Sequence, residues 1–168
     1  MGNQSPNRGQ LQKLMLTAML VAVTVVISRL FIIPVPMTHG NINLCDAGIF
    51  IAALALGPKV GGTVGALSGF LLDLLSGYAQ YMFFSLIIHG LEGFLVGYLS
   101  QRLSGTMARW LALGIGGVVM VAGYFLADSL LYGPAVGLVG LATNPIQAVV
   151  GGVVAWLVTP RVQPYLAK

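Results

Sequence analysis

Six apolar stretches separated by Gly and Pro fill most of this chain, and its charges are sorted between the two ends of those stretches. They read as 11–33, 44–57, 60–77, 81–101, 108–131 and 140–159. A helix needs about 20 apolar residues to cross a hydrocarbon core about 30 Å thick. Pro34, Pro36, Gly57-Pro58, Gly77, Gly105, Gly133-Pro134 and Pro160 punctuate the stretches, as helix-ending residues do. Only 7% of the residues are charged and 57% are hydrophobic, against about 25% charged in soluble domains. The fold class that follows is an all-α integral membrane protein, a compact bundle of six transmembrane helices. It is expected to form one domain over 1–168, with 1–10 as a short segment ahead of the first helix.

Lys and Arg concentrate in cytoplasmic loops. Arg8, Lys13, Lys59, Arg102, Arg109, Arg161 and Lys168 flank one end of the stretches, while Asp46, Asp73, Glu92 and Asp128 lie toward the other. Arg29 is the lone base on the acidic side. Both termini are therefore expected in the cytoplasm, in a multi-pass protein of the cell membrane. The second stretch is short, rising about 20 Å as a helix. If it did not cross, Lys59, Arg102 and Arg109 would change sides and the charge sorting would fail. The first run, from Leu14 to Ile33, has the length of a span rather than of a signal-peptide core.

Several function classes drop out. The net charge of +4 is explained by topology and anionic lipid, with no basic stripe or stacking motif for nucleic acid. Cys45 is single, so no intrachain disulfide forms, and it reads as a small filler residue. The chain has no phosphate-binding loop, and Gly57-Pro58-Lys59 is only a turn. Any ATP-driven role requires a partner subunit.

Ionisable groups inside a bilayer are expensive and mark function by default. His89 and Glu92 stand three apart and share a face of the fourth helix. Glu92 reads either as a ligand contact or as the internal partner of Arg29. The loop after the first helix offers His39, Asn41, Asn43 and Asp46, a set suited to a lid, although Asp46 could simply cap the second helix. Asn144 and Gln147 stand three apart near the outer end of the sixth helix, with Pro145 between them. Asp128 lies with Tyr124 and Tyr132, and Asp73 with Tyr78 and Tyr81. Apolar walls with a few placed polar groups are what a small-molecule pocket needs. His39, Asn41, Asn43, Tyr81, His89, Glu92, Asp128, Asn144 and Gln147 are the expected substrate-binding residues. A catalytic site and a metal site are not expected, because too few metal ligands recur at useful spacing.

Small residues spaced by four let helices approach in lipid. Gly61, Gly65 and Gly69, and likewise Gly93 and Gly97, read as packing inside the bundle. Ala18 and Ala22 in the first helix could pack internally or dock a separate protein.

Six short helices, this alanine pair, and the segments Asn43-Leu44-Cys45-Asp46-Ala47 and His89-Gly90-Leu91-Glu92-Gly93 together resemble the substrate-binding S components of energy-coupling-factor (ECF) vitamin transporters. The resemblance spans essentially the whole chain. It implies a vitamin-binding subunit with a pocket near the outer face, closed by the loops after helices one, three and five. It also implies a transmembrane coupling protein docking at Ala18 and Ala22, two ATPase subunits that hold the ATP and Mg, and toppling of the S component to release its cargo. The small size and the Thr38-His39-Gly40-Asn41 loop look most like members handling hydroxymethylpyrimidine or a similar heterocycle. Two other readings stand beside it. A membrane enzyme would use Glu92, His89 and Asp128 as acid–base groups, but has neither an H-E-x-x-H nor a serine-nucleophile motif. A self-contained channel or exporter would oligomerise through its glycine faces, without the internal repeats of a secondary transporter.

Overall fold

The computed structural model describes residues 8–35 and 41–166. Helix α1 spans Arg8–Leu30, and two two-residue strands follow, β1 (Ile33–Pro34) and β2 (Asn41–Ile42). Then come α2 (Cys45–Leu56), α3 (Pro58–Ser76), α4 (Met82–Arg102), α5 (Thr106–Tyr132) and α6 (Pro134–Leu166). By length and hydropathy α1, α4, α5 and α6 could each cross a membrane. The chain is a membrane protein with an all-α bundle.

The turns follow from residue chemistry. The chain leaves α2 through Gly57 at φ 85°, a left-handed conformation that costs glycine nothing. Pro58 then opens α3 at a position where its missing N–H goes unmissed. Gly77 closes α3 in the αL conformation, its N–H donating to the Asp73 carbonyl. Between α1 and α2 the chain reverses through antiparallel pairing of Ile33 with Ile42 and Pro34 with Asn41.

Helix α2 has only 12 residues, an apolar helix shorter than the four that could cross a membrane. Its start lies beside β2, and its exit turn meets α4, where a Cβ on Gly57 would stand 2.3 Å from Gln101 Nε2. Lys59, Arg102 and Arg109 accordingly gather at that end. Ile49, Phe50, Ala52 and Ala53 of α2 are wholly buried. Phe50 and Ile49 join Cys45, Leu72, Val96, Leu113 and Ala155 in one apolar cluster, with Cys45 as a fully buried filler.

Three expectations are corrected. Helix α6 begins at Pro134, earlier than 140, and continues through Pro145, Pro160 and Pro164 to Leu166. Proline removes one backbone bond, but a helix in lipid keeps its remaining bonds satisfied only by continuing. Asp46 does not cap α2: Leu44 holds the cap position without a side-chain bond, and Asn43 Oδ1 accepts from the Cys45 N–H at 2.7 Å. Arg29 does not pair with Glu92, because Arg29 is exposed while Glu92 is fully buried.

Helices α3 and α4 meet through glycine. A Cβ on Gly61 would lie 2.6 Å from the Gly93 carbonyl, one on Gly65 2.0 Å from the His89 carbonyl, and one on Gly69 2.9 Å from the Ser85 carbonyl. Gly97 packs as tightly on Pro58. The four-residue spacing therefore serves internal packing, and it places His89 and Ser85 at backbone distance from α3.

Candidate functional site

All four acids are buried, whereas every Lys and Arg among the described residues is exposed. Burying a charge without a partner costs several kcal/mol, so these carboxylates require donors from elsewhere. They find them in two connected sets.

The first set walls a small cavity of about 40 Å³ between the β1–β2 end, α3, α5, α6 and the residue that caps α4, with Asn41, Asn43, Asp73, Tyr81, Tyr124, Asp128, Thr143, Asn144 and Gln147 on its surface. Tyr81 donates its hydroxyl to Asp128 Oδ1 at 2.6 Å, and its ring lies 6.4 Å from Tyr124 and 6.0 Å from Tyr132. Glycine at 140 leaves room for this acid, since a Cβ there would sit 2.9 Å from Asp128 Oδ2. Gln147 ties the strand end to α2. Its Oε1 accepts from the Asn43 N–H at 2.8 Å, and its Nε2 donates to Asp46 Oδ1 at 3.1 Å. Asn43 in turn donates through Nδ2 to Asn41 Oδ1 at 2.8 Å.

The second set lies behind the first. His89 Nδ1 is 2.7 Å from Glu92 Oε2 and 3.7 Å from Asp46 Oδ1. His89 Nε2 is 3.0 Å from the Tyr124 hydroxyl, which is 2.6 Å from Ser85 Oγ, and Ser85 is hydrogen-bonded to Asp73 Oδ2. Asp73 and Tyr124 belong to both sets, so the buried cluster and the cavity wall form one polar network.

The chemistry on offer is acceptance. Two carboxylates face the cavity with amides and hydroxyls, and no cation is among them. A ligand held here supplies N–H or O–H donors, or a positive charge, and an anionic ligand meets repulsion. Rings of Tyr81 and Tyr124 add an aromatic wall.

The spacing of ligands along the chain did not suggest a metal site, yet Asp46, His89 and Glu92 bring one donor atom each within 4.8 Å of one another. The His89–Glu92 separation of 2.7 Å is that of a hydrogen bond. Two ligands on one tetrahedral zinc stand farther apart, about 3.4 Å for bonds near 2.1 Å. The closed arrangement therefore fits a shared proton better than a shared ion.

Of the residues expected from the sequence, Asn41, Asn43, Tyr81, Asp128, Asn144 and Gln147 come together on the cavity wall. His89 and Glu92 are not on that wall but one layer behind it. His39 lies outside the described residues. Ala18 and Ala22 are exposed on α1, beside the buried stripe of Thr17, Val21, Thr24, Val25 and Ser28, so their side chains are not part of the packed core. The network also recruits Asp46, Asp73, Ser85 and Tyr124, which were not among the expected binding residues. A signal for Ser85 existed: positions 81, 85, 89 and 92 fall on one helical stripe.

Comparison with known proteins gives a consistent picture. The profile of the family described as "ECF-type riboflavin transporter, S component" matches residues 9–163. The chain is 40% identical over 154 residues to the thiamine precursor transporter HmpT of Lactococcus lactis subsp. cremoris (strain MG1363), covering 91% of this chain and 89% of that protein. Among solved structures, ThiT from Listeria monocytogenes superposes with a TM-score of 0.76 at 18% identity, covering 95% of this chain and 98% of that one. The S component for biotin from an ECF-type transporter superposes with a TM-score of 0.72 at 18% identity, covering 98% and 95%.

Proposed function

This chain belongs to the S-component family of ECF-type transporters, a family of transporter subunits rather than enzymes, and from that premise we propose that it captures hydroxymethylpyrimidine or a close aminopyrimidine relative. The observation that carries the reading is the cavity wall on which Asp73 and Asp128 converge without a cation. An aminopyrimidine offers an exocyclic amine, a hydroxyl and a basic ring nitrogen, which match two carboxylates and the amides of Asn41, Asn43, Asn144 and Gln147. Its single flat ring suits the tyrosine walls and a cavity of about 40 Å³ whose sides must part to admit it. Biotin, by contrast, brings a carboxylate that Asp73 and Asp128 would repel. The name of the Lactococcus relative points the same way.

In this reading Asn41, Asn43, Tyr81, Asp128, Asn144 and Gln147 hold the ligand, and His89 and Glu92 support them from behind. The cavity opens outward, opposite the end that gathers Lys59, Arg102 and Arg109, because bases mark the cytoplasmic side of the cell membrane. Inward delivery uses ATP hydrolysed on two partner ATPases and a transmembrane coupling protein. That protein docks on the exposed face of α1 at Ala18 and Ala22, where small side chains permit close backbone approach.

Calorimetry on the purified protein with hydroxymethylpyrimidine, riboflavin and biotin tests the cargo. Hydroxymethylpyrimidine is expected to bind with Kd below about 1 μM, or about −8 kcal/mol, and the other two not at all. Riboflavin or biotin binding in its place would overturn the assignment.

A further inference from the structure

We propose that Gly140 is a specificity-determining position: the space it leaves open on the cavity wall, between Asp128 Oδ2 and Asn144 Nδ2, receives the hydroxyl of a hydroxymethyl arm. The assignment rests on the aminopyrimidine reading of the cavity and adds which end of the ligand lies where. Its basis is geometric. A Cβ on Gly140 would stand 2.9 Å from Asp128 Oδ2 and 3.2 Å from Asn144 Nδ2, and among the described residues these are the two atoms that it would meet.

Other glycines of α6 answer different needs. A Cβ on Gly137 would meet Ser129 Oγ and the Phe125 carbonyl, and one on Gly151 would meet Asp46 Cβ and the Ala47 nitrogen. Those two let α5 and α2 pack against α6. Gly152 has nothing within 4 Å. Gly140 is buried and on the cavity surface, yet its missing side chain would touch only the polar ends of two cavity residues. Alanine suits a helix interior better than glycine does, so the absent methyl group serves the cavity and not the helix.

The chemistry of that space is mixed. Tyr81 donates to Asp128 Oδ1 at 2.6 Å, which leaves Oδ2 toward Gly140. Asn144 stands one turn along α6 on the same face and turns its Nδ2 to the same space. A carboxylate oxygen accepts and an amide nitrogen donates, so the atom best suited here does both. A hydroxyl oxygen meets that demand, donating to Asp128 and accepting from Asn144. An ammonium would set donor against donor at Asn144, and a methyl would leave both groups unpaired. A phosphate ester of the same alcohol would bring negative charge against Asp128. The amino edge of the ring then falls to Asp73 of α3, whose Oδ2 accepts from Ser85 while its Oδ1 remains for the ligand.

Calorimetry with two ligands and two proteins tests the subsite as a coupling cycle. The ligands are hydroxymethylpyrimidine and the analogue bearing methyl in place of hydroxymethyl, and the proteins are the unaltered chain and Gly140→Ala. The unaltered chain should prefer the alcohol by about ten- to hundred-fold, the worth of one charge-assisted bond. In Gly140→Ala that preference should collapse to within about threefold, chiefly through weaker binding of the alcohol, with the unfolding midpoint kept. Asn144→Ala gives the second reading: the alcohol should lose about fivefold and the methyl analogue nothing. The phosphate ester should not bind the unaltered chain. A hydroxyl preference that survives in both variants, equal weakening of both ligands by Asn144→Ala, or binding of the ester as tight as that of the alcohol overturns the subsite and leaves the cargo assignment standing. Absence of hydroxymethylpyrimidine binding to the unaltered chain overturns both.

Discussion

The two faces of α4 solve opposite problems with one helix. Toward α3, Gly90, Gly93 and Gly97 present almost no side chain, and backbone touches backbone. Around the rest of the helix, Ser85, His89 and Glu92 present the polar groups of the buried network to Asp73 at the far end of α3, Asp46 of α2 and Tyr124 of α5. The first face is fixed by the absence of atoms and the second by hydrogen bonds. The lesson lies in their coupling. Gly65 sits under the His89 carbonyl and Gly69 under that of Ser85, so glycines on a neighbouring helix decide where the site's imidazole and hydroxyl stand.

The largest expected effect breaks the glycine face. Gly65→Leu puts a Cβ where the His89 carbonyl already lies, 2.0 Å away, and overpacking of this kind costs about 3 kcal/mol or more. Thermal unfolding should show a sharp drop in midpoint together with loss of hydroxymethylpyrimidine binding. A stable variant that still binds would mean that α3 does not position the site.

Next comes the polar face and the wall that it supports. Asp128→Ala removes the acceptor of the Tyr81 hydroxyl and one acid from the cavity, and a charge-assisted bond contributes about 1.5–3 kcal/mol. Affinity should fall roughly ten- to hundred-fold by calorimetry, with the unfolding midpoint nearly kept. An unchanged affinity would remove Asp128 from the ligand's contacts. Asn144→Ala takes away a neutral partner, half-buried on the same wall. A loss of about 1 kcal/mol, roughly fivefold in affinity, is expected, and a hundredfold loss would show that the ligand is anchored chiefly by α6.

The smallest effect on binding sharpens the contrast from outside. Ala22→Trp alters a small-residue pair spaced like Gly61 and Gly65 but exposed. Binding by the purified protein should be unchanged, while uptake by cells that contain the coupling protein and ATPases should be lost. If binding falls with uptake, α1 packs through this face within the bundle instead.

The same spacing thus has two meanings, and sequence alone could not separate them. Gly61, Gly65 and Gly69 lie in a seam, while Ala18 and Ala22 face outward. Spacing by four reports that small residues share a helix face, not what the face meets. The binding residues show a related limit. Asn41, Tyr81, Asp128 and Gln147 were legible as polar groups near one end of apolar helices. Glu92 was legible as costly, but its partner was not: Arg29 was the only base on its side, and the interior pairs it with His89 instead.

Membrane class, the helical class of the fold and the gathering of bases at one end were determined by the sequence itself. They depend on local hydropathy, on Gly and Pro, and on the sign of charges near helix ends, all of which are read over one or two turns. Tertiary structure alone decided which buried groups meet. Gln147 reaches Asn43 across 104 positions and Asp46 across 101, and His89 reaches Tyr124 across 35. Such pairings depend on helix rotation and on close approach at glycine, where a shift of about 100° per residue turns a side chain from cavity to lipid. Asp46 shows the consequence: a residue placed to cap a helix became a wholly buried neighbour of His89, because α2 packs into the centre of the bundle instead of along its edge.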